Sequence, residues 1–390
     1  MKNKEKLLLV NQSIGEFFND IILNLPLNNQ ISIFSGKYNY KLNKNIIFHK
    51  STEYNNKSIK TRFVTWIIFT LDLCKFITLQ KQKYNNILFV SNPPIAPIIG
   101  LFCKTSYSIL IYDLYPEIIK KKYIKLSVIF PINIILKIWS KLNYITYKKA
   151  NYIFTLTPEM RSSINKYFPD DSVNKEKIKV INPWFSSKIN PIIINKSNSF
   201  KKAYKEEERL LITYSGNIGI SHPIEFIILA LPILKKSAKF VIISKGEIFK
   251  KLQKISKNLK LNSNDISFIN PLKEKEYFES LASTDLSIVA LDEFASKESI
   301  PSKTFNSLYF GKPIIALSYK SSSLSNLLKK YDCGFNIEPK KENSRILEKK
   351  LYYLNNNKNE LKKLSNNCKK ASEDFNPKNV HKLISLWLSN

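Results

Sequence analysis

One segment of the chain places a lysine where it could hold an anion. Between Glu298 and Ala316, Pro301 and Ser302 favour the first turn of a helix, and Gly311 favours a left-handed helix end. The segment is therefore predicted to contain a loop, a short helix, a turn and an apolar strand. Lys303 falls in the first helical turn, where its charge adds to the positive end of the helix dipole. A bound anion would remove this conflict, so we expect a phosphorylated ligand here.

Two glycine-containing turns precede this segment. Ser215-Gly216-Asn217-Ile218-Gly219 follows an apolar stretch with strand character, and Ser244-Lys245-Gly246 follows the next one. Glycine lets backbone N–H groups approach phosphates without a side chain in the way. Each turn alone is explained equally well as a tight strand-to-helix connection. Because both turns and the Lys303 helix follow strands of one predicted sheet, together they indicate a common phosphate site.

An acidic residue follows a strand in the first half of the chain. Asp113 comes directly after the apolar stretch Ser108–Tyr112. There its carboxylate could orient a substrate hydroxyl, but an Asp ahead of Pro116 could equally cap a helix, and both roles stay open. His49 and His222 are isolated in the sequence, which favours a surface or core role for each.

These residues need a framework of strands to position them. Apolar stretches alternate with amphipathic ones, which predicts parallel sheets that bind ligands beyond the carboxyl ends of their strands. The expected fold is α/β, with two doubly wound, Rossmann-like parallel-sheet domains facing across a cleft. The predicted strands are Lys6–Val10, Ile31–Phe34, Asn86–Val90, Ser108–Tyr112, Tyr152–Leu156, Ile178–Ile181, Leu210–Tyr214, Lys239–Ser244, Ile266–Ile269, Leu286–Leu291 and Pro313–Leu317.

Helices and a linker are predicted between these strands. In the second half, helices are expected near Pro223–Lys236, Ile248–Leu259 and Lys273–Ser283, and the chain is helical from Lys341 onward. The polar, lysine-rich stretch Ile194–Glu208 interrupts the alternation and is interpreted as an interdomain linker.

Length and composition exclude several classes of protein. A chain of 390 residues exceeds what one core usually supports, which favours two domains. Four cysteines without C-x-x-C spacing and only three histidines argue against a zinc site and a disulfide framework, and fit a reducing cytosol. The apolar run near the amino terminus is shorter than the core of a signal peptide. No D-x-D motif occurs in the sequence.

The net charge indicates an anionic partner, although it has a second explanation. The sequence has 62 Lys and Arg against 31 Asp and Glu, a formal charge of +31. Such a balance attracts polyanions, but abundant Lys, Asn and Ile also reflect A/T-rich coding sequence. Because Lys far outnumbers Arg, sequence-specific nucleic-acid recognition is disfavoured. The region Lys120–Tyr147 surrounds an apolar stretch with lysines and aromatic rings, which fits either an interfacial membrane segment or a core helix.

The motifs, taken in order, resemble those of the retaining glycosyltransferase family with the GT-B fold, in its family 4-like group. Glu298, seven intervening residues, Asn306 and then Gly311-Lys312-Pro313 resemble the signature of its carboxyl domain, although Asn306 stands where the family more often has Glu. The two glycine turns and Phe268–Leu272 resemble its nucleotide-binding loops. Other motifs resemble the subgroup of bacterial surface-polysaccharide enzymes such as amino-fucose transferases: Ser91–Pro94, Asp113–Glu117, Thr157–Met160 and Asn182–Trp184.

The resemblance implies roles for individual residues. Asp113, Glu298 and Lys303 would be catalytic, and Ser13, Gly15 and Glu117 would lie on the acceptor side. The nucleotide-sugar donor would be bound without a metal or other cofactor by Gly216, Asn217, Gly219, Lys245, Gly246, Pro271, Leu272, Pro301, Ser302, Lys303 and Asn306. Residues 1–190 would form the acceptor-binding domain and 205–372 the donor-binding domain. Residues 373–390 would form a helix that packs back on the first domain.

The expected function is transfer of a sugar from a nucleotide sugar, in particular a UDP-sugar, to a lipid-linked or saccharide acceptor in surface-polysaccharide synthesis. The protein would be cytoplasmic and peripheral on the inner face of the plasma membrane, held by an anionic membrane surface, without a specific nucleic acid. One alternative is a GT-B sugar-nucleotide epimerase. Another is a non-catalytic protein that binds polyanions or membranes, for which the charge is the only support.

Overall fold

The computed structural model describes residues 5–55, 57–79, 84–122, 131–186, 198–219, 222–291 and 297–389. The chain divides into two compact units. The first contains Met1–Asn182 and Lys378–Asn390, and the second contains Pro183–Pro377. Each unit contains one parallel sheet, so the predicted α/β class with two parallel sheets is confirmed.

The first unit is built on a seven-stranded sheet in the order β3-β2-β1-β4-β5-β6-β7, with every neighbouring pair parallel. Its strands are β1 Lys6–Val10, β2 Gln30–Ser35, β3 Ile46–Lys50, β4 Asn86–Val90, β5 Tyr107–Ile111, β6 Ile153–Thr155 and β7 Ile178–Val180. Its helices are α1 Glu16–Leu23, α2 Ile59–Leu79, a 3-10 helix Ala96–Phe102, α3 Glu117–Lys122, α4 Ile132–Lys149, α5 Pro158–Asn165 and α6 Ser172–Glu176.

The central strands of this sheet are buried and mostly apolar. All five residues of β4 and all five of β5 are buried, as are Leu7 to Val10 of β1. Parallel strands covered on both faces have this pattern, because both faces must exclude water. The chain order reverses between β1 and β4, which makes this the switch point of the sheet.

The last helix of the chain belongs to the first unit. α15, Asn379–Trp387, packs on α1 and buries Val380, Leu383 and Trp387. The Asn379 side chain also donates a hydrogen bond to the Asn182 carbonyl at 3.2 Å. The first unit is therefore assembled from two separate stretches of sequence.

The second unit is built on a six-stranded parallel sheet in the order β10-β9-β8-β11-β12-β13. Its strands are β8 Leu210–Ser215, β9 Ala238–Ile243, β10 Ile266–Ile269, β11 Leu286–Ala290, β12 Ile314–Leu317 and β13 Gly334–Ile337. Its helices are α7 Ser199–Tyr204, α8 Glu225–Leu234, α9 Glu247–Asn258, α10 Glu274–Ser283, α11 Lys303–Tyr309, α12 Ser323–Tyr331, a 3-10 helix Lys341–Asn343, α13 Ser344–Asn356 and α14 Lys358–Asp374.

The structure corrects two sequence predictions. The edge strands β3 and β13 were not predicted, because one mixes polar with apolar residues and the other begins at a glycine. Part of the predicted linker, Ile194–Glu208, forms α7, and the boundary between the units falls at Asn182 and Pro183. α7 buries Phe200, and the Asn198 side chain donates to the Glu279 carbonyl at 2.9 Å, so this stretch is part of the second unit.

The predicted interfacial segment is only partly described. Residues 123–130, which contain the first five residues of its apolar run Leu126–Leu136, lie outside the described residues, whereas α4 lies within them. Among the described residues, no helix combines the length and the apolar character needed to cross a bilayer.

Candidate active site

The carboxyl edge of the second sheet gathers most of the predicted donor residues. β8 and β11 are adjacent at its centre, where the chain order reverses. The turn at Gly216 follows β8, Lys245 follows β9, and Pro271 follows β10. α11, with Lys303, follows β11. As predicted, this edge is the switch point at which doubly wound sheets bind ligands.

A cavity of about 390 Å³ opens at this edge. Its walls come from the turn after β8, from α10 and from the start of α11. The lining residues are Ser215, Gly216, Asn217, His222, Tyr277, Ser302, Lys303 and Asn306. Five of them, Gly216, Asn217, Ser302, Lys303 and Asn306, were among the predicted donor residues.

Lys303 is seated against the end of β8. Its Nζ lies 3.9 Å from the centre of the Tyr214 ring, a cation–π distance. A Cβ atom at Gly216 would lie 3.1 Å from the same Nζ, so the glycine leaves room for the ammonium group. Gly216 also has a φ of 131°, which L side chains rarely adopt. The glycine therefore meets both a backbone and a space requirement.

The charge of Lys303 is poorly compensated in the free protein. Burial lowers the pKa of Lys303 from 10.5 to about 7. Within the part of the chain that the structure describes, no carboxylate lies within 4.0 Å of its Nζ. An anion in the cavity would stabilise the ammonium form and raise this pKa.

Asn306 forms a fixed part of the cavity wall. It follows Lys303 by three residues on α11, so the two side chains lie on the same side of the helix. Its Oδ1 accepts a hydrogen bond from the Ser186 backbone N–H at 3.1 Å. Its Nδ2 lies 3.4 Å from the Tyr277 hydroxyl. Both ends of the amide thus have partners within the second unit.

Two cavity residues were missed from the sequence. His222 was expected in a surface or core role, but it lines the cavity, and its Nδ1 accepts a hydrogen bond from the Gly219 N–H at 3.0 Å. This bond closes the turn after β8, so the Gly219 N–H is already engaged. Tyr277 comes from α10, five residues after the recognised segment Phe268–Leu272. The spacing of three residues between Gly219 and His222 was a signal for His222, and no local pattern indicated Tyr277.

The remaining donor-side predictions lie outside the cavity lining. Glu298 is buried in the connection between β11 and α11, with 5% of its surface exposed. Lys245 and Gly246 are exposed, and Gly246 directly precedes α9. Pro271 is exposed, Leu272 packs against an apolar cluster that includes Val241, and Pro301 accepts a hydrogen bond from the Thr304 N–H at 3.0 Å.

In the first unit, Asp113 lies just beyond β5. The Ser91 hydroxyl fixes this turn by accepting a hydrogen bond from the Tyr112 N–H at 2.9 Å. Asp113 is exposed in this turn, although nearby protein atoms raise the pKa of its carboxyl and the positive charge of Arg62 acts in the opposite direction. Because α3 begins only at Glu117, Asp113 is not the residue that caps it.

The three acceptor-side residues lie on two separate parts of the first unit. Ser13 bridges to Lys37, and Gly15 precedes α1 with open space around its Cα. Glu117 lies in the first turn of α3 and accepts a hydrogen bond from the Tyr167 hydroxyl. Its Oε2 is buried without a hydrogen-bond partner.

Comparisons with solved structures define the class of the fold. The Anabaena HepE structure in complex with UDP matches with a TM-score of 0.69 and 13% identity, covering 98% of this chain and 99% of that chain. WaaG, a glycosyltransferase involved in lipopolysaccharide biosynthesis, matches with a TM-score of 0.66 and 11% identity, covering 99% and 100%. A glycosyltransferase from Rickettsia africae matches with a TM-score of 0.70 and 15% identity, covering both chains fully. The chain has the GT-B fold, as expected.

Comparisons of sequence relate the second unit to a known family. Residues 195–371, nearly all of the second unit, match the model of the glycosyl transferases group 1. A probable glycosyltransferase of Pseudomonas aeruginosa, WbjE, is 21% identical over 270 residues. That alignment covers 67% of this chain and 64% of WbjE, so the chain spans less than two thirds of the length of this relative. The chain therefore has the GT-B fold, and its second unit matches the glycosyl transferases group 1 model. The amino-fucose transferase subgroup stays a prediction.

Proposed function

We propose that the protein transfers a sugar from a UDP-sugar to a lipid-linked or saccharide acceptor in the synthesis of a bacterial surface polysaccharide. Capsule, O-antigen and exopolysaccharide are the products in this class. The reaction needs no metal and retains the anomeric configuration. The observation that carries the proposal is the cavity at the carboxyl edge of the second sheet, where Lys303 has no carboxylate partner among the described residues.

The cavity suits the leaving group of this reaction. Breaking a sugar–nucleotide bond leaves a diphosphate on which negative charge grows, and preorganised cations and N–H donors lower the barrier most where that charge develops. In the proposal Lys303 pairs with this charge, and the exposed Asn217 and Ser302 offer further donors, since the Gly216 N–H is donated to the Ile243 carbonyl. Asp113 orients the attacking acceptor hydroxyl, and Glu298 holds hydroxyls of the donor sugar.

The relatives support the choice of donor and pathway. HepE structures contain UDP or UDP-glucose. WaaG acts in lipopolysaccharide biosynthesis. A UDP-sugar and a surface polysaccharide are therefore the donor and product classes that we propose for this chain.

Two helices of the first unit support a position on the inner face of the plasma membrane. On α2, Val64, Ile67, Ile68 and Leu71 recur at helical spacing and are 41–64% exposed. On α4, Ile134, Ile135 and Ile138 are 43–56% exposed beside the exposed lysines 137 and 141. We name these two apolar faces the α2 stripe and the α4 stripe. An apolar helix face edged by lysines is typical of helices that lie in an anionic bilayer surface.

The two helices are held next to each other. Both pack on the 3-10 helix Ala96–Phe102, and Phe102 is itself 69% exposed. The Tyr115 ring lies 5.3 Å from the Trp66 ring of α2 and 6.0 Å from the Trp139 ring of α4. The proposal is that the α2 and α4 stripes together contact the bilayer, with the +31 charge adding long-range attraction.

Donor binding is tested by thermal shift with UDP and a panel of nucleotide sugars. UDP at about 100 times its Kd is expected to stabilise the protein by about 2.7 kcal/mol. Lys303→Ala should weaken UDP binding by about ten-fold or more, because a charge-assisted contact to phosphate is lost. Lys254→Ala removes the same charge from an exposed position on α9 and should leave UDP binding unchanged.

Product analysis then separates transfer from epimerisation. Incubation of the preferred UDP-sugar with and without a lipid-linked acceptor should give a glycosylated product only when the acceptor is present. A new sugar nucleotide formed without acceptor would identify an epimerase instead. The absence of a thermal shift with every nucleotide and nucleotide sugar would contradict the proposed function altogether.

A further inference from the structure

An arginine occupies the inner face of α2. Arg62 begins a row at helical spacing that continues with Trp66, Phe69 and Leu73, which are 4%, 0% and 0% exposed. The α2 stripe occupies the opposite side of the same helix. Arg62 is therefore directed toward the interior of the first unit, in a row that is otherwise apolar.

The guanidinium of Arg62 has a side-chain hydrogen bond with Tyr115 but keeps one donor without a partner. Its Nε is buried and has no hydrogen-bond partner. Within the described residues no carboxylate forms an ion pair with it. A buried guanidinium donor without an acceptor is costly, because the group has lost its water without replacing it. A ligand oxygen that accepts from Nε would remove this cost.

The neighbours of Arg62 lie at the carboxyl edge of the first sheet. Its charge lowers the pKa of Asp113, which follows β5, and those of Tyr115 and Tyr54, although burial raises the pKa of all three groups more strongly. Arg62 thus shares this edge with the carboxylate that the proposed function assigns to the acceptor hydroxyl.

The position of this part of α2 is fixed from the same edge. The Gln12 side chain, just beyond β1, donates to the carbonyls of Thr65 at 2.9 Å and Thr52 at 3.2 Å. Gln12 is 1% exposed, and its Oε1 has no partner. Gln12, whose side chain fixes the part of α2 that carries Arg62, therefore also has a buried polar atom without a partner. Arg62 and Gln12 thus offer an unpaired donor and an unpaired acceptor at the carboxyl edge that also carries Asp113.

We propose that Arg62 binds a phosphate group of the acceptor beside Asp113, and that the acceptor is a saccharide linked to a lipid through phosphate. This inference rests on the proposed function, because it assigns one more group of the substrate in the acceptor site. A guanidinium presents its N–H donors in a fork that matches two phosphate oxygens. The exposed α2 and α4 stripes favour a lipid carrier over a soluble acceptor, and phosphate joins a saccharide to a lipid alcohol with a charge at the bilayer surface.

The experiment measures binding of farnesyl diphosphate by isothermal titration to protein saturated with UDP, so that the Lys303 cavity is already filled. Arg62→Ala should weaken the affinity by about ten-fold or more, and Arg62→Lys by less. Farnesol, which lacks phosphate, should bind all variants alike. Lys60→Ala removes an exposed charge from the same helix and should leave the affinity of farnesyl diphosphate unchanged.

A comparison with inorganic diphosphate shows whether Arg62 binds a lipid-linked phosphate or a free one. If Arg62→Ala weakens farnesyl diphosphate far more than inorganic diphosphate, the lipid-linked acceptor is supported. If Arg62→Ala weakened the binding of farnesyl diphosphate and of inorganic diphosphate equally, the lipid part of the inference would be overturned. Unchanged binding of farnesyl diphosphate in Arg62→Ala would overturn the phosphate site and leave Arg62 as a counter-charge for Asp113.

Folding and the donor site are checked in the same samples. A normal UDP thermal shift in Arg62→Ala shows that the second unit is intact, and wild-type affinity for farnesol shows that the first unit still binds the lipid chain. Failure of the wild-type protein to bind UDP would count against the proposed function. In that case the affinities of the wild type and of Arg62→Ala for farnesyl diphosphate, measured without UDP, would still test the role of Arg62.

Discussion

At the scale of single residues, Lys303 is the group whose ionisation is tied to the ligand. In the free protein its pKa of about 7 leaves the side chain partly neutral at neutral pH. A nucleotide diphosphate carries the negative charge that favours the ammonium form, so binding must raise the pKa of Lys303. Ligand affinity and proton uptake are therefore linked at this one side chain.

We predict that UDP binding takes up close to one proton at pH 8. At that pH the free Lys303 is mostly neutral and the bound Lys303 is mostly charged, whereas the diphosphate is already fully ionised. Affinity for UDP should fall as pH rises above about 7, since protonation of the lysine then costs progressively more. Isothermal titration in two buffers with different ionisation enthalpies measures the proton count.

Lys303→Arg supplies the comparison for this titration. Arginine keeps its charge throughout the pH range, so this variant should bind UDP without proton uptake at pH 8. Equal proton uptake by the wild type and the variant would show that another group titrates.

Sequence identified the cavity residues that belong to compact motifs and missed those brought in by packing. Gly216, Asn217, Ser302 and Lys303 were predicted because a strand followed by a permissive turn, or a helix start, is visible within a few residues. Tyr277 reaches the cavity because α10 packs beside α11, and no local pattern encodes that. The bond from Gly219 to His222 likewise depends on backbone geometry that the residue types do not fix.

At the scale of elements, the strands that are buried along their whole length were all predicted, and both strands that were missed lie at a sheet edge. β4 and β5 are buried throughout, so their sequences are mostly apolar. β3 and β13 pair on one side only and are only partly buried, so their sequences carry polar residues or glycine. Each pairs only with the strand that precedes it in the chain, so no second neighbour requires an apolar sequence.

The α2 stripe leads to a prediction about membrane binding. The double variant Ile67→Glu and Leu71→Glu should lower binding to anionic vesicles by more than about ten-fold, because each buried side chain contributes about 1.5–3 kcal/mol. Vesicle sedimentation at low and high salt measures the loss, and the wild type should bind more tightly at low salt.

A matched variant lies in the other unit. Leu229→Glu changes a side chain on α8 that is 56% exposed, and it should leave vesicle binding close to that of the wild type. If both variants bound vesicles as the wild type does, or if no vesicles sedimented the wild type at low salt, the α2 stripe would not be a membrane contact.

At the scale of the whole molecule, the first unit depends on residues that are distant in sequence. α15 contributes the fully buried Trp387, at 1% exposure, although the rest of this unit ends at Asn182. The second unit is continuous from Pro183 to Pro377. The stabilities of the two units can therefore be changed separately.

We predict that Trp387→Ala destabilises the first unit by about 3–5 kcal/mol, since it removes a large buried aromatic side chain and leaves a cavity. Calorimetry should show the transition of the first unit at lower temperature, with the second still stabilised by UDP. Tyr352→Ala, at a 65% exposed position on α13, is the control and should shift neither transition. A loss of the UDP response in Trp387→Ala would show that the units do not unfold separately.

The return of α15 to the first unit also sets an order for folding on the ribosome. Translation normally lets the amino-terminal domain of a protein fold first. Here every residue of the second unit is synthesised before Trp387, so the second unit can be complete while the first still lacks its last helix. The apolar surface of α1 that α15 covers then stays open until the final stage of synthesis, and a nascent chain stalled after Pro377 would be a target for chaperones that bind exposed apolar surface.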